Sequence, residues 1–117
     1  MKTKSLKQKG RVLQNYVRDK LIDTLHDVDE NDVQSRIMGC AGEDIILSTK
    51  AREQFPFSTE CKNSEKLNIW RAWKQCTDNA NGYMPIAFIK RNNIKPLAVI
   101  DAEFFFELYR QTICKKD

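Results

Sequence analysis

Apolar residues recur at helical spacing near the start of the chain. In residues 6–25, "LKQKGRVLQNYVRDKLIDTL", an apolar residue falls at every fourth position from Leu13 to Leu25. Residues four apart lie on the same face of an α-helix. The pattern therefore predicts a first helix of roughly four turns with one buried stripe.

Shorter apolar runs predict the remaining elements. The strands are expected in "VQSRIMGCAG" (33–42), "EDIILS" (43–48), "FPFSTECK" (55–62), "MPIAFIKR" (84–91) and "PLAVID" (96–101), with "AREQ" as a connection. The helices are expected in residues 64–80, capped by Asn63 or Ser64 and ended by Gly82, and in residues 102–111, capped by Asp101. The order α-β-β-β-α-β-β-α predicts an α/β domain with a mixed sheet flanked by helices in about three layers.

Two apolar patterns bear on burial. The unbroken run of residues 96–101 is typical of a strand buried on both faces. Trp70 and Trp73 stand among apolar residues of the second long helix, so we expect them to pack in the core rather than to stack on bases.

The strand at residues 55–62 alternates in character. Phe57, Thr59 and Cys61 fall on one face, and the residues between them fall on the other. The alternation gives Cys61 a core position. It also directs Glu60 and Lys62 to the same side of the strand.

Length and charge limit the architecture and the partners. The 117 residues are enough for one domain, 1–117, and the formal net charge is +4. Five basic residues without an acid crowd the start of the chain: Lys2, Lys4, Lys7, Lys9 and Arg11. Such a segment suits nucleic acid or an anionic membrane surface, and a solvated, flexible end over residues 1–8 is the alternative.

Other features exclude some classes of protein. No apolar run approaches the roughly 18 to 20 residues of a membrane span, and the N-terminus lacks the apolar stretch of a signal peptide. We therefore expect a cytoplasmic protein that does not bind a membrane. The four cysteines are widely spaced and there is one histidine, so the sequence predicts reduced, largely buried thiols rather than zinc.

Two acids and a lysine form the candidate chemistry. Asp44 begins one predicted strand, and Glu60 and Lys62 lie near the end of the next. If these strands pair antiparallel, both carboxylates reach one end of the sheet. Carboxylate oxygens suit magnesium, and a nearby lysine can neutralise a phosphate or orient a water, as in metal-assisted phosphodiester cleavage. On spacing alone, a surface salt-bridge pair across the strands is the alternative.

The segments "GED" and "ECK" resemble the core motif of the PD-(D/E)XK nuclease superfamily. Asp44 matches the first acid, Glu60 the second and Lys62 the lysine, while Glu43 replaces the proline of the motif. The resemblance implies a restriction-endonuclease-like fold and a magnesium-dependent nuclease, with manganese able to substitute. It implies that Asp44, Glu60 and the backbone carbonyl of Cys61 hold the metal.

A second resemblance narrows the family. "KGRVLQNYVRDKL" resembles the first helix of archaeal Holliday junction resolvases and their phage relatives, and "FPFSTECKNSEKLNIWRAWKQ" with "IKRNN" looks like small phage-encoded nucleases of this kind. These proteins usually place a glutamate four residues after the glycine, where this chain has Gln14. The resemblance implies that Gln14 and Gln75 position water beside the metal.

The same resemblance implies partners. We expect a homodimer that binds branched or four-way-junction DNA, in the host cytoplasm if the chain is phage-encoded. From charge and position, the DNA contacts are expected from Lys9, Arg11, Lys90 and Arg91, and a solvated strand end is the alternative for Lys90 and Arg91. Residues 104–106, all phenylalanine, with the strand at 96–101 are the expected dimer interface, and packing within the monomer is the alternative. A nicking or exonuclease repair enzyme, or a nucleic-acid-binding protein that does not cut, are the alternative functions.

Overall fold

The computed structural model describes residues 5–37 and 39–114 of the chain. Its elements, within these residues, are α1 (Leu6–Thr24), β1 (Val33–Ser35), β2 (Ile45–Leu47), α2 (Thr49–Gln54), β3 (Phe57–Asn63), α3 (Ile69–Asp78), β4 (Met84–Lys90), β5 (Leu97–Val99) and α4 (Ala102–Cys114). The chain mixes helices and strands along its length, as in an α/β protein. In the described part of the chain, no helix is both long and apolar enough to cross a membrane.

Helix α1 confirms the predicted apolar stripe and is longer than predicted. Its side chains Leu13, Val17 and Leu21 are buried. Ser5 forms a capping box with Gln8, because each side chain bonds the other's backbone N–H. Residues 5–8 are thus the cap and first turn of α1, and residues 1–4 lie outside the described residues.

The strands form a mixed sheet and a separate hairpin-like pair. In the three-stranded sheet the order is β3-β4-β5, with β3 and β4 parallel and β4 and β5 antiparallel. Strand β2 pairs antiparallel with β1. The strands at 43–48 and 55–62, whose antiparallel pairing was one way to bring the two acids together, do not form a ladder with each other. The two segments are joined instead by a hydrogen bond of 2.7 Å from the Asp44 N–H to the Thr59 carbonyl.

Helices cover both faces of the sheet. The main core joins α1 to β1, β2 and α2 and reaches Cys61 of β3, with Phe88 of β4 packed against it. On the opposite face, α3 lies close enough for the Cys76 thiol to contact the Ser58 carbonyl at 3.8 Å. The layers of helix, sheet and helix leave Asp44 and Glu60 near one edge of β3.

Three predicted boundaries are wrong. The connection "AREQ" is helical, since it belongs to α2, whose N-cap Ser48 accepts a hydrogen bond from the Ala51 N–H. Helix α3 begins after Asn68, not after Asn63 or Ser64, and its C-cap is Asn79. Gly82 lies beyond the helix in a turn, with φ of +88°.

Several burial predictions are also wrong. Trp70 is 83% exposed, and β5 is an edge strand whose Leu97 is 52% exposed rather than a strand buried on both faces. Phe105 and Phe106 are exposed, so the three phenylalanines of residues 104–106 do not all pack within the monomer. All four cysteines are free as predicted, but only Cys61 and Cys76 are buried, while Cys40 and Cys114 are exposed.

Candidate active site

The loop before β2 is shaped by Gly42 and Arg36. Gly42 has φ of +108°, a left-handed conformation that L side chains rarely adopt. A Cβ at this position would also lie 3.2 Å from the Arg36 guanidinium carbon. The Arg36 Nε donates to the Glu43 carbonyl, and its backbone N–H donates to the Asp44 carbonyl at 2.8 Å. These contacts fix the backbone at Asp44.

Asp44 is anchored to the edge of β3 by two hydrogen bonds. Its backbone N–H donates to the Thr59 carbonyl, and its side-chain Oδ2 accepts from the Cys61 N–H at 2.7 Å. Burial raises the pKa of Asp44, and the Cys61 N–H and then the Lys62 charge oppose that rise. The carboxylate is therefore held beside β3 at a fixed position.

Glu60 is a buried acid with an unsatisfied oxygen. It is 3% exposed, and its Oε2 has no hydrogen-bond partner within the described residues. Burial and then repulsion from Asp44 raise the pKa of Glu60 to about 7, against the opposing charge of Lys62. A buried carboxylate oxygen without a donor is costly unless a cation or a proton compensates it.

Lys62 lies on the same side of β3 as Glu60, as the alternation predicted. Its Nζ is 3.4 Å from the Glu60 Oε1, and its side chain is 32% exposed. The ammonium group thus reaches from a buried carboxylate toward solvent. A salt bridge on the surface does not describe this pair, because Glu60 is buried.

These groups open into one cavity of about 550 Å³. The lining includes all the catalytic and metal-binding residues expected from the sequence: Gln14, Asp44, Glu60, Cys61, Lys62 and Gln75. Gln14 is 4% exposed and comes from α1, whereas Gln75 is exposed and comes from α3. Residues from four separate segments therefore converge on the edge of β3.

The donor set fits a hard divalent cation with few protein ligands. The described residues contain no group of three or more His, Cys, Asp or Glu side chains that could hold a metal. The candidate site offers two carboxylates, Asp44 and Glu60. The Glu60 Oε2 accepts no hydrogen bond from the described residues, so it can ligate a cation. The Cys61 carbonyl leaves β3 on the edge that faces Asp44, since its N–H does. Oxygen donors of this kind suit magnesium, which keeps several waters.

The residues predicted to contact DNA lie at different positions relative to the cavity. Arg11 lines a shallow depression that shares Gln14 and Ile37 with the cavity. The Lys9 carbonyl accepts a 2.9 Å hydrogen bond from Asn63 at the end of β3. At that end of the sheet, Lys90 pairs in register with Asn63.

Lys90 also has a structural role that the sequence did not suggest. Its Nζ donates to the carbonyls of Arg91 and Ile94 at 3.0 and 2.9 Å, which holds the turn after β4. Lys90 and Arg91 line a second groove together with Glu65 and apolar side chains of β4 and β5. Of these two basic residues, Lys90 is half-buried and Arg91 is exposed.

Sequence reasoning missed the residues that support the site. Glu43 forms a 2.8 Å ion pair with Arg52 of α2 through Oε2, while its Oε1 is buried without a hydrogen-bond partner among the described residues. Asp78 and Asn79, at the end of α3, line the cavity, and the Asn79 carbonyl accepts a hydrogen bond from Ser58. Spacing gave no signal for these contacts, because they join segments distant in sequence.

Comparisons of this chain with protein-family models, curated proteins and solved structures found no significant match.

Proposed function

We propose that this protein is a magnesium-dependent DNA endonuclease of the PD-(D/E)XK type. The observation that carries the proposal is the buried Glu60 carboxylate, with an unpartnered oxygen, held in one cavity with Asp44 and Lys62. The Asp44 charge repels the Glu60 carboxylate and so raises the pKa of Glu60. A divalent cation bound between the two carboxylates would offset this repulsion. The arrangement therefore suits the site with a bound metal better than the site without one.

The metal would be held by Asp44, Glu60 and the Cys61 carbonyl, with manganese able to replace magnesium. When bound, magnesium supplies a Lewis acid for the phosphate and lowers the pKa of a bound water. The Cys61 N–H, by bonding Asp44 Oδ2, keeps that carboxylate in position for this role. Glu60 has a single described ion-pair partner, Lys62, which leaves its second oxygen for the cation.

Lys62 is the residue proposed to act on the reacting groups. Lys62 lines the cavity and its side chain is partly exposed, so its ammonium group would reach a phosphate while staying near Glu60. It would orient the attacking water and stabilise negative charge that develops on the phosphate oxygens. Attack of water on phosphorus forms one P–O bond and breaks another, and the leaving oxygen takes up a proton.

Gln14 and Gln75 would hold water at the two sides of the cavity. Each amide offers both a donor and an acceptor, so it can orient a water without adding charge. Arg11 lines a depression that adjoins the cavity, and Lys9, Lys90 and Arg91 are the other basic residues that would bind backbone phosphates. The net charge of +4 favours binding to DNA at low salt.

Resolution of four-way junctions is the proposed activity within this class. It rests on the sequence resemblance of α1 and of residues 55–75 to junction resolvases, and a mixed sheet between α1 and α3 is compatible with it. A nicking or exonuclease enzyme on the same fold would use the same metal ligands, so the substrate must be compared directly.

The test is cleavage by the purified protein of a supercoiled plasmid and of matched four-way and linear duplexes. We expect nicking with magnesium or manganese, none with chelator, and faster cutting of the junction. Cutting of linear duplex at the same rate as the junction would contradict the resolvase activity and leave a general nuclease. No cutting with either metal, despite DNA binding, would contradict the nuclease.

That last outcome would support the second candidate, a nucleic-acid-binding protein that does not cut. The specific observation in its favour is Gln14, which occupies a buried position in the cavity where resolvases usually carry a glutamate. Replacing Gln14 by Glu separates the two candidates further. If Gln14→Glu cuts DNA faster than the unaltered protein, the absence of an acid at position 14 limits cleavage by this site.

A further inference from the structure

Trp70 of α3 presents its ring to solvent. It is 83% exposed, whereas tryptophan side chains are on average highly buried. In the described part of the chain, no other aromatic ring stacks on it and no basic side chain lies over it. Tyr83, by contrast, is covered by Arg52 at 4.2 Å from its ring centroid. The faces of the Trp70 ring are therefore free to receive a ligand.

The residues next to Trp70 are mostly polar. Lys74 and Thr77 are exposed and lie about 40° and 20° from it around the helix. Trp73, about 60° away, is half-buried. The exposed Ile69 lies about 100° away and lines a different groove. A single ring in such surroundings does not form the broad apolar face by which protein partners or membranes dock.

The surface around Trp70 carries positive charge. Residues 66–77 contain three basic side chains, all exposed, and no acid: Lys66, Arg71 and Lys74. Arg71 takes part in none of the ion pairs among the described residues. Lys74 pairs with Asp78 at 3.0 Å, but both side chains are exposed, and exposed pairs of this kind contribute little. The charge is therefore complementary to a polyanion.

We propose that Trp70 is a stacking platform for an unpaired nucleobase of single-stranded DNA, and that Arg71 and Lys74 bind its phosphates. Aromatic rings stack on nucleobases of any sequence, and basic side chains beside them neutralise the backbone. In a duplex the faces of each nucleobase are covered by its neighbours, so a ring on a helix surface takes an unpaired one. The choice of DNA over RNA rests on the proposed function, whereas the stacking itself does not.

Helix α3 also connects this surface to the candidate active site. Gln75 and Asp78 line the cavity, and Arg71 lies within about 40° of both around the helix. Trp70 precedes Gln75 by about 8 Å along the helix axis. A strand bound at Trp70 and Arg71 can therefore continue to the edge of the cavity. For the proposed nuclease, this favours DNA with an unpaired nucleotide next to the position of cutting.

The first test is titration with oligothymidine in the presence of a chelator, followed by tryptophan fluorescence. The chain has two tryptophans, so Trp73→Phe leaves Trp70 as the emitter and Trp70→Phe leaves Trp73. We expect strong quenching in Trp73→Phe and much less in Trp70→Phe, because a nucleobase in contact with an indole ring quenches its emission. Quenching as strong in Trp70→Phe as in Trp73→Phe, or absent from both at low salt, overturns the proposal.

The second test separates stacking from charge. Trp70→Ala should weaken oligothymidine binding on the order of 10-fold without changing its salt dependence, because one stack of ring on nucleobase is lost. Arg71→Ala should weaken binding and also make its salt dependence shallower, because one phosphate contact is lost.

The control is Tyr109→Ala, at an aromatic residue of α4 that is 58% exposed, which should change neither quantity. Far-UV circular dichroism of each variant verifies that the domain is folded. An effect of Trp70→Ala on binding no larger than that of Tyr109→Ala overturns the proposal.

These readouts are separate from the nuclease activity. Binding that depends on Trp70, without cleavage in magnesium or manganese, would contradict the proposed function alone. Cleavage without binding that depends on Trp70 would contradict this inference alone. Oligouridine is titrated in parallel, and tighter binding of oligouridine than of oligothymidine would overturn the assignment to DNA.

Discussion

At the scale of single residues, the electrostatics of the candidate site depend chiefly on Glu60. It is buried beside a second acid, and its one described ion pair, with Lys62, is 3.4 Å long. The pKa of Glu60 rises to about 7, first because burial disfavours the charged form and then because Asp44 repels it. Near neutral pH, a proton and a metal cation would therefore compete for the same carboxylate.

This shift predicts a pH dependence of stability without divalent metal. From about pH 4.5 to about 7, the folded protein holds a proton on Glu60 that the unfolded chain has released. The free energy of unfolding should therefore fall as pH rises through this window, on the order of 2 kcal/mol, and level off above it. Urea unfolding in the presence of a chelator, at a series of pH values between 4.5 and 8.5, measures this change in the free energy of unfolding.

Glu60→Gln should flatten most of that slope, while Glu53→Gln, at an exposed position of α2, should keep it. Some slope should remain in Glu60→Gln, because burial also raises the pKa of Asp44. Asp32 does not confuse the result, because its pKa is lowered and its effect lies at more acid pH. An unaltered protein whose stability rises between pH 4.5 and 7 would show that Glu60 is not the buried acid described here.

A second prediction concerns Lys62. Lys62→Ala should lower the cleavage rate of the bound complex about 10²- to 10³-fold, because Lys62 acts where charge develops. DNA affinity should change less than about tenfold, since binding is spread over many phosphates. Single-turnover cleavage and an equilibrium binding assay in calcium separate the two quantities.

The matched control is Lys95→Ala, an exposed lysine outside the cavity, which should alter neither quantity by much. If Lys62→Ala instead weakens binding strongly and bound DNA is cut at the normal rate, Lys62 is a phosphate anchor and its proposed catalytic role is wrong.

The sequence could predict the acid and lysine of β3 because strand alternation is local. A period of two residues places Glu60 and Lys62 on one side wherever the strand lies. It could not predict how Asp44 meets them. That juxtaposition depends on Arg36 and on the Cys61 N–H, which come together only in the folded chain.

At the scale of elements, α3 shows where local pattern is insufficient. Residues 64–66 resemble a helix start, but the Ser64 N–H donates to the Lys90 carbonyl at 3.0 Å and Glu65 accepts from the Asn92 N–H at 2.6 Å. These tertiary bonds tie the segment to β4 and the following turn, so the helix begins at Ile69. Its buried stripe is narrow and made of small residues, Ala72 and Cys76.

Trp70 lies about 160° from Ala72 and about 120° from Cys76 around the helix, so it falls outside that stripe. We predict that Trp70→Ala lowers the free energy of unfolding by less than about 1 kcal/mol, because an exposed side chain loses little packing. The reference is Leu13→Ala, at a position 1% exposed, which should lower it by about 3 kcal/mol. Chemical denaturation of both variants measures the difference. A loss at Trp70 as large as that at Leu13 would place this tryptophan in a packed environment.

At the scale of the whole molecule, the apolar residues divide between a core and an outer surface. The core joins α1 to β1, β2, α2 and β3, and it holds the candidate site against α1. The apolar residues of β5 and α4 lie largely outside it. The sequence predicted these two apolar segments. It could not predict that they stay largely uncovered by the described elements, because a strand or helix pattern does not identify the element that packs against it.

The central claim is that Glu60 and its neighbours cut DNA with a divalent metal. The most direct measurement is cleavage of a four-way junction in magnesium by the unaltered protein and by Glu60→Gln and Glu53→Gln, purified in parallel. The account predicts cutting by the unaltered protein and by Glu53→Gln, and a loss of at least about 10³-fold in Glu60→Gln, because a metal-holding charge is gone. A contaminating nuclease would persist in all three preparations. Equal cutting by Glu60→Gln would contradict the account.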